Sequence, residues 1–194
     1  KTSVRAAYAI MTEQPTITAV LNTASNPPLA TPHGFTGPIR FDNARALAIS
    51  AGVAPITVDH NYENTYVQSW NLNVQRELMR QVILLAGYFG SKGTNLRISR
   101  NLNQPVNGVR PFAQLSASSP VLPGAPLGNI TQVEGTGNSS YNALWLSGNA
   151  RLDRGLQFNI SYTWSRSIDY NSLTSPITIT VQDSYNLRGD RGLS

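Results

Sequence analysis

Few residues of this chain could carry acid–base or nucleophilic chemistry. There are two histidines, His33 and His60, and the second lies in Val58-Asp59-His60-Asn61, an acid beside an imidazole. Adjacent side chains on an extended backbone point apart. A hydrolytic triad would therefore need folding to bring an aspartate, a histidine and a serine together, and no Gly-x-Ser-x-Gly elbow marks the serine. His33, His60, Asp59 and Glu63 lack a recognised metal-ligand spacing and read as loop residues. Glu13, Glu63, Glu77 and Glu134 could pair for glycoside hydrolysis only at a separation that chain order does not set. Gly90-Ser91-Lys92-Gly93-Thr94 is not Gly-x-x-x-x-Gly-Lys-Ser/Thr and opens no helix, so it reads as a strand-exit turn and not as a phosphate cradle. Arg188-Gly189-Asp190 and the sequons Asn129-Ile130-Thr131, Asn138-Ser139-Ser140 and Asn159-Ile160-Ser161 are too short to carry a function. With no cysteine there is no thiolate metal site, disulfide or cysteine nucleophile. No catalytic residue, cofactor or metal is expected.

Composition narrows the classes further. Of 194 residues, 40% are hydrophobic and only 13% charged, and 15 basic against 10 acidic residues leave a net charge of +5. The arginines are spread from Arg5 to Arg191 without a basic stripe, which argues against a nucleic-acid partner. The longest apolar run, Val82 to Ala86, is far short of the roughly 20 residues of a membrane-spanning helix. No initiator Met or apolar leader is present, so any export signal is expected outside these residues.

The elements that would position a site are strands. Leu156, Phe158, Ile160, Tyr162 and Trp164 alternate with Gln157, Asn159, Ser161, Thr163 and Ser165, the period of a strand with one apolar face. Asp153-Arg154-Gly155 supplies a tight turn back to a preceding strand-like run, making a hairpin. Tyr66, Trp70, Leu72 and Val74 begin a second hairpin that returns through Val82 to Phe89, and Val4, Ala6, Tyr8 and Ile10 mark a strand at the start. The expected strands lie near 3–11, 65–76, 81–90, 140–152 and 156–166. Asp42 or Asn43 could cap a short helix from Ala44 to Ala51 that ends at Gly52, and 175–181 could form a further strand or ribbon.

Short and long connections alternate. The long ones, 12–64, 91–139 and 167–194, contain Asn26-Pro27-Pro28, the Pro120 to Pro126 stretch and Gly135-Thr136-Gly137-Asn138. Compact soluble domains seldom carry such loops. An outer-membrane barrel does: its turns are short on the periplasmic side and long outside, and its lipid face alternates with a polar lumen face. In that topology Tyr66, Tyr88, Phe89, Tyr141, Tyr162 and Trp164 form an interfacial girdle, where ring and polar tip are both satisfied. Val82 to Phe89 is apolar on both faces and so must pack against something inside the barrel, or be a buried sandwich strand. The long loops are the polar, adaptable surface, and Arg97, Arg100, Arg110 and Tyr62 are the candidate ligand-binding residues for a polar or anionic solute.

Several segments resemble one family. They are Val4-Arg5-Ala6-Ala7-Tyr8-Ala9-Ile10, Trp70-Asn71-Leu72-Asn73-Val74-Gln75-Arg76-Glu77-Leu78, Tyr88-Phe89-Gly90-Ser91-Lys92-Gly93-Thr94 and Asn101-Leu102-Asn103-Gln104-Pro105. Ser140-Tyr141-Asn142-Ala143-Leu144, Arg154-Gly155-Leu156, Ser161-Tyr162-Thr163-Trp164-Ser165 and the stretch from Tyr185 to Ser194 follow. In order and spacing they are similar to consecutive barrel strands of TonB-dependent outer-membrane receptors, in the subgroup with an N-terminal carboxypeptidase-regulatory-like domain. The resemblance implies a piece of a barrel of about 22 strands that imports a scarce nutrient with energy delivered through TonB. Its partners would be outer-membrane lipid, the rest of its own barrel and plug, and TonB through regions outside this chain. The plug and N-terminal domains are not expected within residues 1–194. Five strands cannot close a pore, so an isolated segment is expected to associate edge to edge, refold or aggregate.

The expected fold is thus all-β, an antiparallel up-and-down meander forming one segment of a transmembrane barrel in the bacterial outer membrane, with no catalysis of its own. Two other readings stand beside it: a soluble β-rich binding or assembly module built as a sandwich, and a hydrolase of ester or glycosidic bonds.

Overall fold

The computed structural model describes residues 1–14, 17, 21–27, 30, 32–35, 40–152, 155–170 and 181–194. Its framework is one open sheet of seven strands: β1 (Thr2–Thr12), β2 (Ile56–Val58), β3 (Tyr66–Met79), β4 (Val82–Asn101), β5 (Thr131–Arg151), β6 (Gln157–Asp169) and β7 (Gly192–Leu193). The spatial order β1-β3-β4-β5-β6-β7 is antiparallel throughout, so the meander is as expected. Gly155 takes the positive φ of 81° that its turn requires, while Asp153 and Arg154 lie outside the described residues, as does 175–180 of the suggested ribbon.

Register sorts the side chains onto two faces. On one face Ala6, Leu72, Tyr88, Leu144 and Trp164 form a continuous cross-strand row, and Val4, Val74, Ala86, Leu146 and Tyr162 form the next. The opposite face carries rows such as Arg5, Asn73, Gly87, Trp145 and Thr163. The apolar face is uncovered: Ile160 is 70% exposed, Tyr162 58% and Trp164 55%. A soluble sandwich would bury these residues under a second sheet, and no second sheet covers them among the described residues.

Three expectations are corrected. First, β4 does not stop near residue 90 and the connection does not begin at 91; the ladder continues from Ser91 to Asn101 against Thr131 to Tyr141. A bulge around Thr94 to Arg97, with Asn95 at φ 55°, absorbs the irregularity and lets pairing resume. The supposed strand-exit turn is strand, and its glycines mark close approach instead. A Cβ on Gly90 would strike the indole of Trp70, its cross-strand partner. Gly90→Ala is expected to cost about 1 kcal/mol, because the indole must swing toward the lipid side. The urea midpoint of the full-length protein refolded into vesicles would report it.

Second, the connection 12–64 holds more than the expected short helix. It holds helix α1 (Ala44–Ala51), closed by Gly52 at φ 76°, with Asn43 at its N-cap position but making no side-chain cap bond. It also holds β2, which pairs parallel with the far edge of β5 at Thr131 to Val133. Val53, Leu122 and Ala125 form a buried cluster with Ile49 and Leu115 packed on it, so this connection and the one after β4 fold together as a small capped layer. This buried apolar cluster lies in the connections and not on the sheet, as befits a sheet whose two faces await lipid and lumen.

Third, the girdle changes membership. Phe89 pairs with Ala143 and Tyr141 with Ser91, placing both rings on the polar face, whereas Tyr8 and Trp70 join Tyr88 and Trp164 on the apolar one. Tyr66 lies beyond the apolar rows, level with Thr12 and Thr94. One residue of difference along a strand reverses the face.

Candidate functional site

Arg97 and Arg100 sit on the upper part of β4 and not in a loop. The Arg100 guanidinium donates through Nε to Oε1 of Glu134 and through Nη1 to the Ser184 carbonyl at 3.5 Å. Glu134 is 2% exposed and also accepts from Thr136 Oγ1 at 3.3 Å. Arg100 is therefore occupied in holding a buried carboxylate. Arg110 donates to the Asn103 carbonyl at 2.7 Å and to Asn129 Oδ1 at 3.1 Å, hooking its own connection together.

Tyr62 belongs to the segment that crosses from β2 to β3. Burial pushes its phenol above the ordinary 10.0, the Arg97 cation pulls it down, and the Glu13 carboxylate adds a smaller upward push. Tyr62 and Arg97 therefore share one local field, while Arg110 sits with Asn103 and Asn129. The crossing segment is fastened to the bulge: Thr65 Oγ1 donates to the Asn95 carbonyl at 2.8 Å and Asn95 Nδ2 to Glu63 Oε2 at 2.6 Å. A Cβ on Gly135 would strike the Glu63 carbonyl, which explains the glycine there. Glu134 and Gly135 are neighbours on a strand and so point to opposite faces. The upper β4–β5 hairpin is thus gripped on one face by the crossing segment and on the other by Ser184.

Asn103 is the polar centre of the connection between β4 and β5. Fully buried, it donates to the carbonyls of Phe112 at 2.8 Å, Leu127 at 3.2 Å and Gly128 at 2.8 Å, and accepts from Phe112 N at 2.8 Å. Asn101 accepts from Asn103 N and Ile130 N. The two asparagines of Asn101-Leu102-Asn103 supply the backbone partners that an irregular buried chain otherwise lacks.

The catalytic candidates do not assemble. Asp59 Oδ1 accepts from Asn61 N at 3.1 Å, a local turn, and His33 stacks on Phe35. Glu63, Glu77 and Glu134 each meet a donor, namely Asn95, the Lys1 amino group and Arg100. Among the described residues no three His, Asp or Glu side chains could hold a metal ion.

Sequence reasoning missed a cavity of about 240 Å³ on the polar face, lined by Arg5, Asn73, Gln75, Leu85, Phe89 and Trp145. Phe89 and Trp145 approach to 6.4 Å between ring centroids, and the indole donates to Ser161 Oγ at 2.9 Å. This is where the second apolar face of Val82 to Phe89 goes. The signal was Trp145 standing at an inward position of its alternation.

A single-layer sheet with an uncovered apolar face, a polar opposite face, tight turns at one end and a folded cap at the other is the wall of a barrel that spans a lipid bilayer. A family model described as outer membrane beta barrel domain matches residues 1–194, and the chain belongs to that family. Its place is the bacterial outer membrane. Neither a curated protein nor a solved structure matches the chain significantly. The family is typically one of transport or structural proteins, not of enzymes.

Proposed function

We propose that this chain is a stretch of barrel wall in a TonB-dependent receptor for nutrient uptake, and that its capped connections make the first contact with the solute. The observation that supports the reading is the asymmetry of the two ends: short connections after β3 and β5 at one, and at the other two connections folded on each other around Val53, Leu122 and Ala125. A structured extracellular surface above a lumen suits capture followed by passage. Arg97 and Tyr62, sharing one field, are the contact residues for an anionic or polar group, and Arg110, held by Asn103 and Asn129 in the connection between β4 and β5, is a separate contact. Plug, TonB contact and the remaining strands belong to other parts of the receptor, and the wall takes no part in bond chemistry.

The test is accumulation of radiolabelled cobalamin, ferric citrate and maltotriose by cells with and without the full-length gene, before and after a protonophore. Gene-dependent uptake that the protonophore abolishes is expected; gene-dependent uptake indifferent to it would mean a passive pore and overturn TonB coupling. Arg97→Ala should weaken half-saturation of the accumulated probe about tenfold, the loss of one charge-assisted hydrogen bond.

A further inference from the structure

The outward face carries a second pattern besides its apolar rows. Outward positions of β3 run Gln68, Trp70, Leu72, Val74 and Arg76; those of β4 end in Lys92; those of β5 pass from Leu144 to Asn142; those of β6 pass from Trp164 to Arg166. Polar groups thus follow the apolar band on β3, β4 and β5, while on β6 Arg166 stands between Trp164 and Ile168. The three ionisable cations or anions on this face within the paired block are Arg76, Lys92 and Arg166, all cations; every outward position of β1, β3, β4 from Val82 to Thr94, β5 from Asn138 and β6 is free of carboxylate.

Lys92 and Arg166 stand at the end nearer the long connections, the side of the outer leaflet. Both are exposed. They lie two strands and two residues apart, about 12 Å between Cα atoms from a strand spacing near 4.8 Å and a rise near 3.4 Å. Side chains of that length can converge over the strand between them. There Asn142, directly opposite Arg166, accepts from the Tyr88 hydroxyl at 2.6 Å, which leaves its amide N–H groups to donate. Beneath this polar shelf Trp164, Leu144 and Tyr88 form the first apolar row.

We infer that Lys92, Arg166 and Asn142 form a binding site for the phosphorylated headgroup of an outer-leaflet glycolipid, whose acyl chains lie along the apolar rows below. The guanidinium and ammonium supply charge for two phosphates, the amide supplies direction, and the missing carboxylates remove the competing intramolecular ion pair. The inference rests on the membrane face alone and is independent of the uptake reading.

The full-length receptor, purified in dodecyl maltoside, would be titrated with bis-phosphorylated lipid A, with phosphatidylcholine, and with inorganic phosphate as competitor, and bound lipid read by native mass spectrometry. Lipid A should bind at least tenfold more tightly than phosphatidylcholine. Lys92→Gln with Arg166→Gln should lose that preference, Lys92→Arg with Arg166→Lys should keep it, and Arg76→Gln at the opposite rim should leave it unchanged. Retained heat-modifiable migration on gels verifies folding of each variant, and Lys92→Gln alone, with a smaller loss, serves if the double variant fails. Equal binding of lipid A by the native and glutamine variants, equal affinity for phosphatidylcholine, or displacement of lipid A by equimolar inorganic phosphate would each overturn the site.

Discussion

Arginine in place of Leu146 is expected to destabilise the membrane-inserted barrel by about 2–4 kcal/mol, whereas arginine at the adjacent Ser147 should cost far less. Leu146 lies in the middle outward row, between Ala86 and Tyr162, and is 41% exposed in the isolated sheet. In the bilayer that exposure is contact with acyl chains, and a guanidinium there must lose water, thin the bilayer or drag headgroups inward. Ser147 pairs with Leu85 and Ser161 on the polar face, where the lumen solvates a cation. The two substitutions are one residue apart and introduce the same guanidinium, so the difference between them follows the face on which the charge lands. Urea titration of the full-length protein refolded into phosphatidylcholine vesicles measures it. Equal costs would mean that neither face touches lipid, and a larger cost at Ser147 would invert the barrel assignment.

Alternation made that face readable from residue types alone. Along β6 each apolar residue is followed by a polar one without interruption, and because a strand has a period of two, the pattern states both the element and its orientation. The same rule puts Phe89 and Tyr141 on the polar face, and only their aromatic character suggests a place in the girdle. The extension of β4 to Asn101 was hidden for a different reason. Glycine at 90 and 93 and asparagine at 95 are turn formers in isolation, and only the partner strand shows that Gly90 clears space for Trp70 while Asn95 supplies a bulge.

The connections were the least legible part, and Tyr62 and Arg110 of the candidate site lie in them. The helix from Ala44 to Ala51 was visible because helix and terminating glycine are local features. Pairing of β2 with β5 joins residues some seventy positions apart through only three ladder positions, and no local pattern announces so short a parallel contact. Arginine in a loop-like stretch was read as a ligand contact because the partner that occupies it, a glutamate on the next strand, is close only after β4 and β5 pair.

That partner makes Arg100→Ala a test of architecture and not of solute binding. Removal of the guanidinium leaves Glu134, 2% exposed, with Thr136 Oγ1 as its remaining donor among the described residues, and breaking a buried ion pair from one side costs about 3–5 kcal/mol. Arg100 is 31% exposed in its side chain, so water can reach part of the gap and the lower end of that range applies. About 3 kcal/mol raises the open population of the upper hairpin by about a hundredfold, since each 1.4 kcal/mol is a factor of ten. The strain falls on the segment 98–104 that also receives Ser184 and Gln182. Protease added to intact cells should therefore cut the connection between β4 and β5 far faster in Arg100→Ala, while the membrane-embedded strands and heat-modifiable migration stay as in the native protein. Arg100→Met combined with Glu134→Leu removes both charges and should recover most of the protection, because the penalty arises from the orphaned carboxylate and not from the missing arginine. If the single variant resists protease like the native chain yet loses uptake, Arg100 touches the solute directly and the ion pair is incidental.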